Sequence, residues 1–514
     1  MDNNQFLSDW GLTIMVFLPL AGALVMLLIP RTEEHLHRTL ALVVTLATAG
    51  VGAAVLADFD YGASEVMQFV VNKPWIDVIN ARYAIGVDGL SVPLIGLTLL
   101  ILPLCVIYSW NHFPEPRNPK AFLILLLVLD TGLLGTFVAQ DLILFFVFFE
   151  VVLLPMYFLI GVWGGEQRQY ASIKFFLFTL FGSALMIVSF LALFFVTGGE
   201  TFVIQDLAAL VPDSDISRLT ALLIFGGMFM GFGIKVPMFP FHTWLPDAHT
   251  QAPTVGSVIL AAVMLKLGTY GFIRVAIPIL PEAAVEWAPY IGALAVIGII
   301  YGALACLAQT DMKRLIAFSS VSHMGFTMLG IATLTDFGFN AAVMGMVAHG
   351  LITGMLFFVA GSVKERYHTL DIKRLGGILL KAPRMGWILG FTAMASLGLP
   401  GLAGFWGEFP AILSSYQPAP GLSDVTFRVY MIVAAVGTVF AAGYLLWLYQ
   451  RVAFGTPTEE FAESDIPDVT IPEWVAWVPM LVLILVIGIY PNLVFHVTEG
   501  GSAALADWVA AMGS

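Results

Sequence analysis

Fourteen apolar runs, each long enough to cross a bilayer, divide this chain almost end to end and leave little polar surface for a soluble fold. They fall at about 11–30, 37–57, 84–110, 118–138, 141–163, 169–197, 219–243, 251–275, 287–308, 315–335, 338–361, 385–414, 427–450 and 474–495. Of the 514 residues 59% are hydrophobic, roughly 300 in all. A spanning helix takes about 20 of them, which caps the number of spans near about fifteen. Charged residues make up only 11%, against about 25% in soluble domains. The composition excludes a soluble enzyme and predicts an all-α polytopic membrane protein.

An even number of spans puts both termini on one side and lets the loops be sorted by charge. Of the 22 Lys and Arg residues, Lys73, Arg82, Arg218, Arg274 and Arg428 follow even-numbered spans, Lys235 and Lys266 lie inside spans, and the other fifteen follow odd-numbered spans. Basic residues are retained on the cytoplasmic side. The asymmetry therefore predicts odd loops in the cytoplasm and both termini on the outer side of a bacterial inner membrane. The stretch 456–473 runs against the pattern with Glu459, Glu460, Glu463, Asp465, Asp468 and Glu473. Acids weigh little in the rule, and such a run reads as a solvated face or as a docking surface for a partner.

Cys105 and Cys306 lie far apart in apolar surroundings, without CxxC or CxxCH spacing, so iron–sulfur, haem c and zinc-ribbon readings fall away and both cysteines read as inert core residues. The segment ahead of the first run holds Asp2 and Asp9 and no Lys or Arg, unlike a cleavable signal peptide. A net charge of −13 does not suit a nucleic-acid partner.

After loops and ends are counted, five ionisable residues remain inside apolar runs: Asp130, Glu150, Lys235, Lys266 and Glu408. Each costs about 2.5–3.5 kcal/mol to insert at a helix centre, which makes function the first hypothesis and a structural ion pair the alternative. Glu150 in LFFVFFEVVLLPMY and Lys235 in GFGIKVPMFPFHTWLPDAH fall near mid-depth on different helices. Opposite charges at one depth lower each other's desolvation cost, and moving the carboxylate away frees the amine to release its proton. Lys266 in VMLKLGTYGFIR has no carboxylate within reach on its own helix. A buried lysine without a fixed partner alternates between charged and neutral forms near neutrality, as a proton carrier must. His323 in SSVSHMGF and His349 in GMVAHGLITG add groups that titrate near neutrality, although a lone histidine in an apolar helix is also a common core residue. Glu408 in LPGLAGFWGEFP comes late in an outward-running span and suits a terminal exit group. Asp130 reads equally as structural or as a lateral relay. His242, Asp247 and His249 invite a proton-uptake or metal reading, but no ligand spacing supports a metal, and helix capping by Asp247 is preferred.

Pro237 and Pro240 follow Lys235, while Gly398, Pro400, Gly401, Gly404 and Gly407 precede Glu408, so both helices are expected to break there. Interrupted helices at membrane depth line cavities and point to transport sites. The breaks lie in spans seven and twelve, five spans apart, which predicts two inverted five-helix repeats. The expected division is 1–117 for helices 1–3, 118–275 and 276–455 for the two repeats, and 456–514 for the acidic loop, helix 14 and a C-terminal tail.

The segments FFVFFEVVLLPMYFLIG, IKVPMFPFHTWLPDAHTQAPTVGSVILAAVMLKLGTYG, KRLIAFSSVSHMGF and LPGLAGFWGEF resemble the antiporter-like membrane subunits of proton-pumping NADH:quinone oxidoreductase, respiratory complex I. The superfamily also includes subunits of multisubunit sodium/proton antiporters and membrane hydrogenases. Among the three antiporter-like types, L and N carry a lysine at the end of the second broken helix and M, the chain 4 type, carries a glutamate, as here at Glu408. The resemblance implies that Glu150, Lys235, Lys266 and Glu408 are channel residues and that His323 and His349 belong to the relay. It implies no cofactor in this chain, with NADH, FMN, iron–sulfur clusters and quinone held by partner subunits, and neighbours of the L and N types among membrane lipids. A sodium/proton antiporter or membrane hydrogenase subunit is the alternative, and a quinone pocket near His323 and His349 is a third.

Overall fold

The computed structural model describes residues 3–110 and 112–512. Apolar sequence favours helix inside a bilayer because every backbone polar group must be paired within its own segment. Polar residues mark where the helices begin. Asn118, Asp141, Ser217, Asp311, Thr335 and Ser423 each accept a backbone N–H of the first turn that follows, satisfying groups left open at a helix start. Thr470 and Glu473 form a capping box at the start of Ile471–Ile489.

Among the described residues, twelve helices are long and apolar enough to cross a membrane. Beside them stand the 17-residue apolar helix Val92–Tyr108 and a pair of half-helices, Pro383–Ser396 and Ala403–Ser414. Three helices, Thr254–Ile279, Met312–Ala332 and Asp336–Tyr367, are enclosed by protein along nearly their whole length and form the core. Peripheral helices turn one side outward, as Asp424–Ala453 does with Val425, Val429, Ile432, Val436 and Val439. That spacing is one helical face, apolar as a lipid contact requires.

The connections form two groups, each making its contacts within itself. On one side, Asn80 donates to Gly199 O, Trp508 to Pro278 O and Arg218 to Glu286. On the other, Lys120 donates to Ile29 O, Trp163 to Pro116 O and Lys313 to Ala252 O. The even-numbered and odd-numbered loops of the sequence thus lie on opposite faces.

Three segments differ from expectation. The run 84–110 is not helical at its start. Residues Ala81–Val87 form a strand paired antiparallel with Gln68–Ile76, and the helix begins at Val92. A short apolar stretch reads alike as strand or helix until its partner is known. The tail after the last span is a 21-residue helix, Asn492–Met512, which buries Val494, Val497, Gly501, Leu505 and Val509 along one stripe. Its polar other face, with Glu499 and Asp507, hides it from a search for apolar runs.

The acidic stretch is an intrachain strap rather than simply a solvated face or a partner surface. Glu460 pairs with Arg374, Asp468 accepts the backbone N–H groups of Arg384 and Met385, and Lys381 donates to the carbonyls of Ala462 and Ser464. Glu473 is fully buried and takes both arms of Arg366, at 2.8 and 2.7 Å. Breaking a buried pair by removing one partner costs about 3–5 kcal/mol, because the other charge is stranded. Glu473→Ala is therefore expected to lower the thermal stability of the detergent-solubilised protein far more than the paired replacement Arg366→Met with Glu473→Leu, as read by melting curves.

Candidate functional site

Lys266 lies in the enclosed helix Thr254–Ile279, between two widened turns at Leu260–Met264 and Phe272–Ala276. Widened turns of this kind recur at functional sites. The Lys266 amine donates to Ala261 O at 2.6 Å and to His349 Nδ1 at 2.7 Å. It thus has fixed neutral partners where the sequence led to the expectation of none. The amine is fully enclosed, and among the described residues its bonded partners are this carbonyl and this ring nitrogen.

His349 lines a small cavity together with His323, Thr353, Ser396 and Glu408. Its Nε2 has no protein partner among the described residues. The cavity gives about 20 Å³ to the centres of water molecules, room for about one or two. Across it, the His323 ring lies 6.1 Å from that of His349, centroid to centroid. His323 Nδ1 is 2.5 Å from Glu408 Oε1. With Nδ1 donating to the carboxylate, Nε2 is left to accept from the Tyr444 hydroxyl at 2.9 Å, with Ser396 Oγ at 3.2 Å. The structure therefore brings together four of the six residues singled out in the sequence, in the order Lys266, His349, His323, Glu408.

The broken helix sets Glu408 in place. Gly398 and Gly401 take φ values of 79° and 94°, open to glycine without the penalty a side chain brings, and they turn the chain between Pro383–Ser396 and Ala403–Ser414. Gly407 lies against Gly345 of the helix Asp336–Tyr367 so closely that an added methyl would meet Gly345 Cα at 2.5 Å. Glu408 follows directly, buried in the second half-helix Ala403–Ser414.

Glu150 and Lys235 form a separate pair. Lys235 is the last residue of Arg218–Lys235, and regular helix resumes only at Trp244. The helix C-terminus carries partial negative charge, which favours an ammonium there. Its Nζ lies 4.6 Å from the centre of the Phe149 ring and has no hydrogen-bond partner among the described residues. Glu150, next in sequence to Phe149, is within electrostatic reach of Lys235, yet no ion pair joins them. The residue as a whole is half-buried, while its Oε1 is buried with no hydrogen-bond partner among the described residues. Its helix breaks just after it, at Val152, where Pro155 cannot donate to the carbonyl four residues back.

The remaining candidates separate. Asp130 is buried, and its Oδ1 has no partner among the described residues. Asp247 does not cap a helix. It bonds Lys174 at 2.7 Å and approaches Arg314 at 3.2 Å, tying three surface segments together. His242 stacks on Phe239 and His249 on Phe357, and no group of three metal-binding side chains is found among the described residues. Two features escaped sequence reasoning. Tyr444 and Ser396 touch His323 but carry no charge to betray them in an apolar run. Arg274, counted with the loops, is buried and paired with Asp88 while Nε donates to the Tyr270 hydroxyl.

Residues 139–436 match the family described as NADH:quinone oxidoreductase/Mrp antiporter, TM, and residues 62–136 match NADH-ubiquinone oxidoreductase chain 4, amino terminus. The chain belongs to this family. It is 40% identical over 495 residues to NADH-quinone oxidoreductase subunit M of Rhodobacter capsulatus, covering 94% of each chain. It is 38% identical over 494 residues to NADH-ubiquinone oxidoreductase chain 4 of Chondrus crispus, covering 96% of each. In shape it is similar to a chain of respiratory complex I from Thermus thermophilus with bound NADH, with a TM-score of 0.85 and 28% identity over 97% of this chain and 99% of that one. As a member of this family with twelve spanning helices, it is a multi-pass membrane protein.

The contact beneath Glu408 gives a direct test of the packing. Gly407→Ala is expected to cost about 1–3 kcal/mol through overpacking, whereas Gly443→Ala, where an added methyl meets nothing within 4 Å, should be neutral in the same melting assay.

Proposed function

We propose that this chain is the M-type, proton-translocating membrane-arm subunit of NADH:quinone oxidoreductase, moving protons while other subunits carry the electrons. The single observation that carries the reading is the line of titratable groups through the enclosed core: Lys266 bonded to His349, a water-sized cavity, and His323 bonded to Glu408. A core helix has no packing reason to hold a lysine that faces no carboxylate. Proton transfer supplies one.

In this reading a proton is taken up from the cytoplasmic side toward Lys235, passes to Lys266, crosses the histidine pair with internal water, and leaves through Glu408. The helices bearing the two lysines meet backbone to backbone, since an added methyl on Gly268 would lie 2.5 Å from Phe232 O and 3.0 Å from Val236 N. Moving one charge against roughly 150 mV takes about 3.5 kcal/mol at 2.3 kcal/mol per 100 mV. The carrier's proton affinity must then change by about 2.5 powers of ten between loading and release. Bringing Glu150 to about 4 Å from Lys235 supplies about 4 kcal/mol at an effective dielectric constant near about 20. The pair is unbonded in the structure, so one such closing movement is of the right size to drive a step.

Fourteen spans follow if Val92–Tyr108 and the two half-helices, taken as one, join the twelve. The units 118–275 and 276–455 then act as inverted repeats. Glu150 lies on the second helix of the first unit and Lys235 on its fourth. His323 and Glu408 lie at the matching places of the second unit with acid and base exchanged. Odd loops face the cytoplasm of a bacterial cell and both termini the outside. NADH, FMN, iron–sulfur clusters and quinone belong to partner subunits, and the half-buried Glu150 is covered by a neighbouring antiporter-like chain of the L or N type.

In vesicles holding the assembled complex, Glu150→Ala, Lys235→Ala, Lys266→Met and Glu408→Gln are each expected to abolish most NADH-driven proton uptake in sodium-free buffer while assembly persists. Normal uptake in assembled variants overturns the path, and a requirement for sodium favours the antiporter reading.

A further inference from the structure

The relay leaves several buried titratable side chains unused, Asp130, His37, His242 and His249 among them, and His249 is the one stacked on the helix that bears His349 and lines the relay cavity. His249 is fully buried, and neither ring nitrogen has a partner among the described residues, although buried polar groups are nearly always paired and an exception calls for an explanation. Its ring lies flat on Phe357, 4.5 Å between centroids and 9° from parallel, so it is held firmly in a place that gives its nitrogens nothing to bond.

Phe357 marks the level of that ring along the core helix Asp336–Tyr367. One turn deeper, Thr353 lines the cavity between His349 and His323. One turn shallower, Gly361 lines a much larger cavity of about 500 Å³ among the odd-numbered loops. Each step of four residues is about 6 Å. His249 therefore lies midway between the relay and an open, partly polar vestibule on the face assigned to the cytoplasm. The segment from Gln251 to Val255, just after His249, forms part of the vestibule wall, as do Lys364 and the buried Lys313. The charged or titratable groups that act on His249 are Lys313 on the vestibule side and Lys266 and His349 on the relay side.

We propose that His249 is a proton carrier that loads Lys266 and His349 directly from the vestibule, in place of the uptake step through Lys235 in the path above. The inference rests on the proton-translocating reading above. One ring nitrogen takes a proton from vestibule water, leaving hydroxide that the aqueous phase neutralises. The other nitrogen gives its proton to the neutral amine of Lys266 or to His349. One proton enters the ring and one leaves it, and the ring returns to its starting form when its remaining proton moves back to the first tautomer. Glu150 and Lys235 then act as the charge that sets when Lys266 accepts a proton, rather than as its source.

The test uses the assembled complex in sealed vesicles. His249→Phe keeps the stack on Phe357 and removes the carrier, and proton uptake per NADH oxidised is expected to fall to the level of Lys266→Met. His249→Ala opens space, and added imidazole, which reaches the site through the vestibule, is expected to restore uptake several-fold while pyrrole, of the same shape without a basic nitrogen, is not. Wild-type uptake in His249→Phe overturns the proposal. So does imidazole restoring no more than pyrrole, since His249 is then a packing residue. If Lys266→Met and Glu408→Gln themselves pump normally, the proton-translocating reading fails instead, whatever His249 does.

Discussion

The cost of an ammonium group at the centre of an enclosed helix is the constraint around which the rest of this molecule is arranged. Lys266 meets it with a carbonyl of its own widened turn and a histidine, Ala261 O and His349 Nδ1, and not with a carboxylate. A carboxylate would hold the charge in place. Neutral acceptors satisfy the N–H groups and leave the charge free to go. Glycine is used where helices must approach closely enough to keep such a site dry. Gly268 abuts the backbone of the helix ending in Lys235, and Gly407 abuts Gly345 beside Glu408.

The two faces hold this core in different ways. One carries the strand pair and the long terminal helix Asn492–Met512, and Asp141 links the strands to the helices by capping Leu142–Val151 while also accepting the Arg82 backbone N–H. The opposite face is tied by charge: Glu473 with Arg366, Glu460 with Arg374, and Asp247 between Lys174 and Arg314. That face holds most of the basic residues, and the acids at 459–473 partly neutralise it from within. The mismatch between the acidic stretch and the charge rule thus has a local cause.

Residues whose cost shows in composition were legible from the sequence. A lysine or glutamate in an apolar run stands out whatever its partners, and Lys235, Lys266 and Glu408 lie at or beside the helix breaks and widened turns of the structure. The breaks were legible too, because Pro and Gly act locally. Pairings were not. Nothing in the run around Tyr444 announces that its hydroxyl meets His323, 121 residues away, and Asp247 has the spacing of a helix cap yet bonds two other segments. The strand Ala81–Val87 reads as the start of a span because its register with Gln68–Ile76 is a non-local fact, and Asn492–Met512 reads as a tail because its exposed face carries Glu499 and Asp507.

The central claim is that Glu408 receives and releases the proton that the core lysine and histidines carry. Infrared difference spectroscopy on the complex during NADH oxidation tests it most directly, by following the carboxyl C=O band. The account predicts a band that rises and falls with turnover and is absent from Glu408→Gln. A Glu408 carboxyl that keeps one protonation state throughout turnover would contradict it.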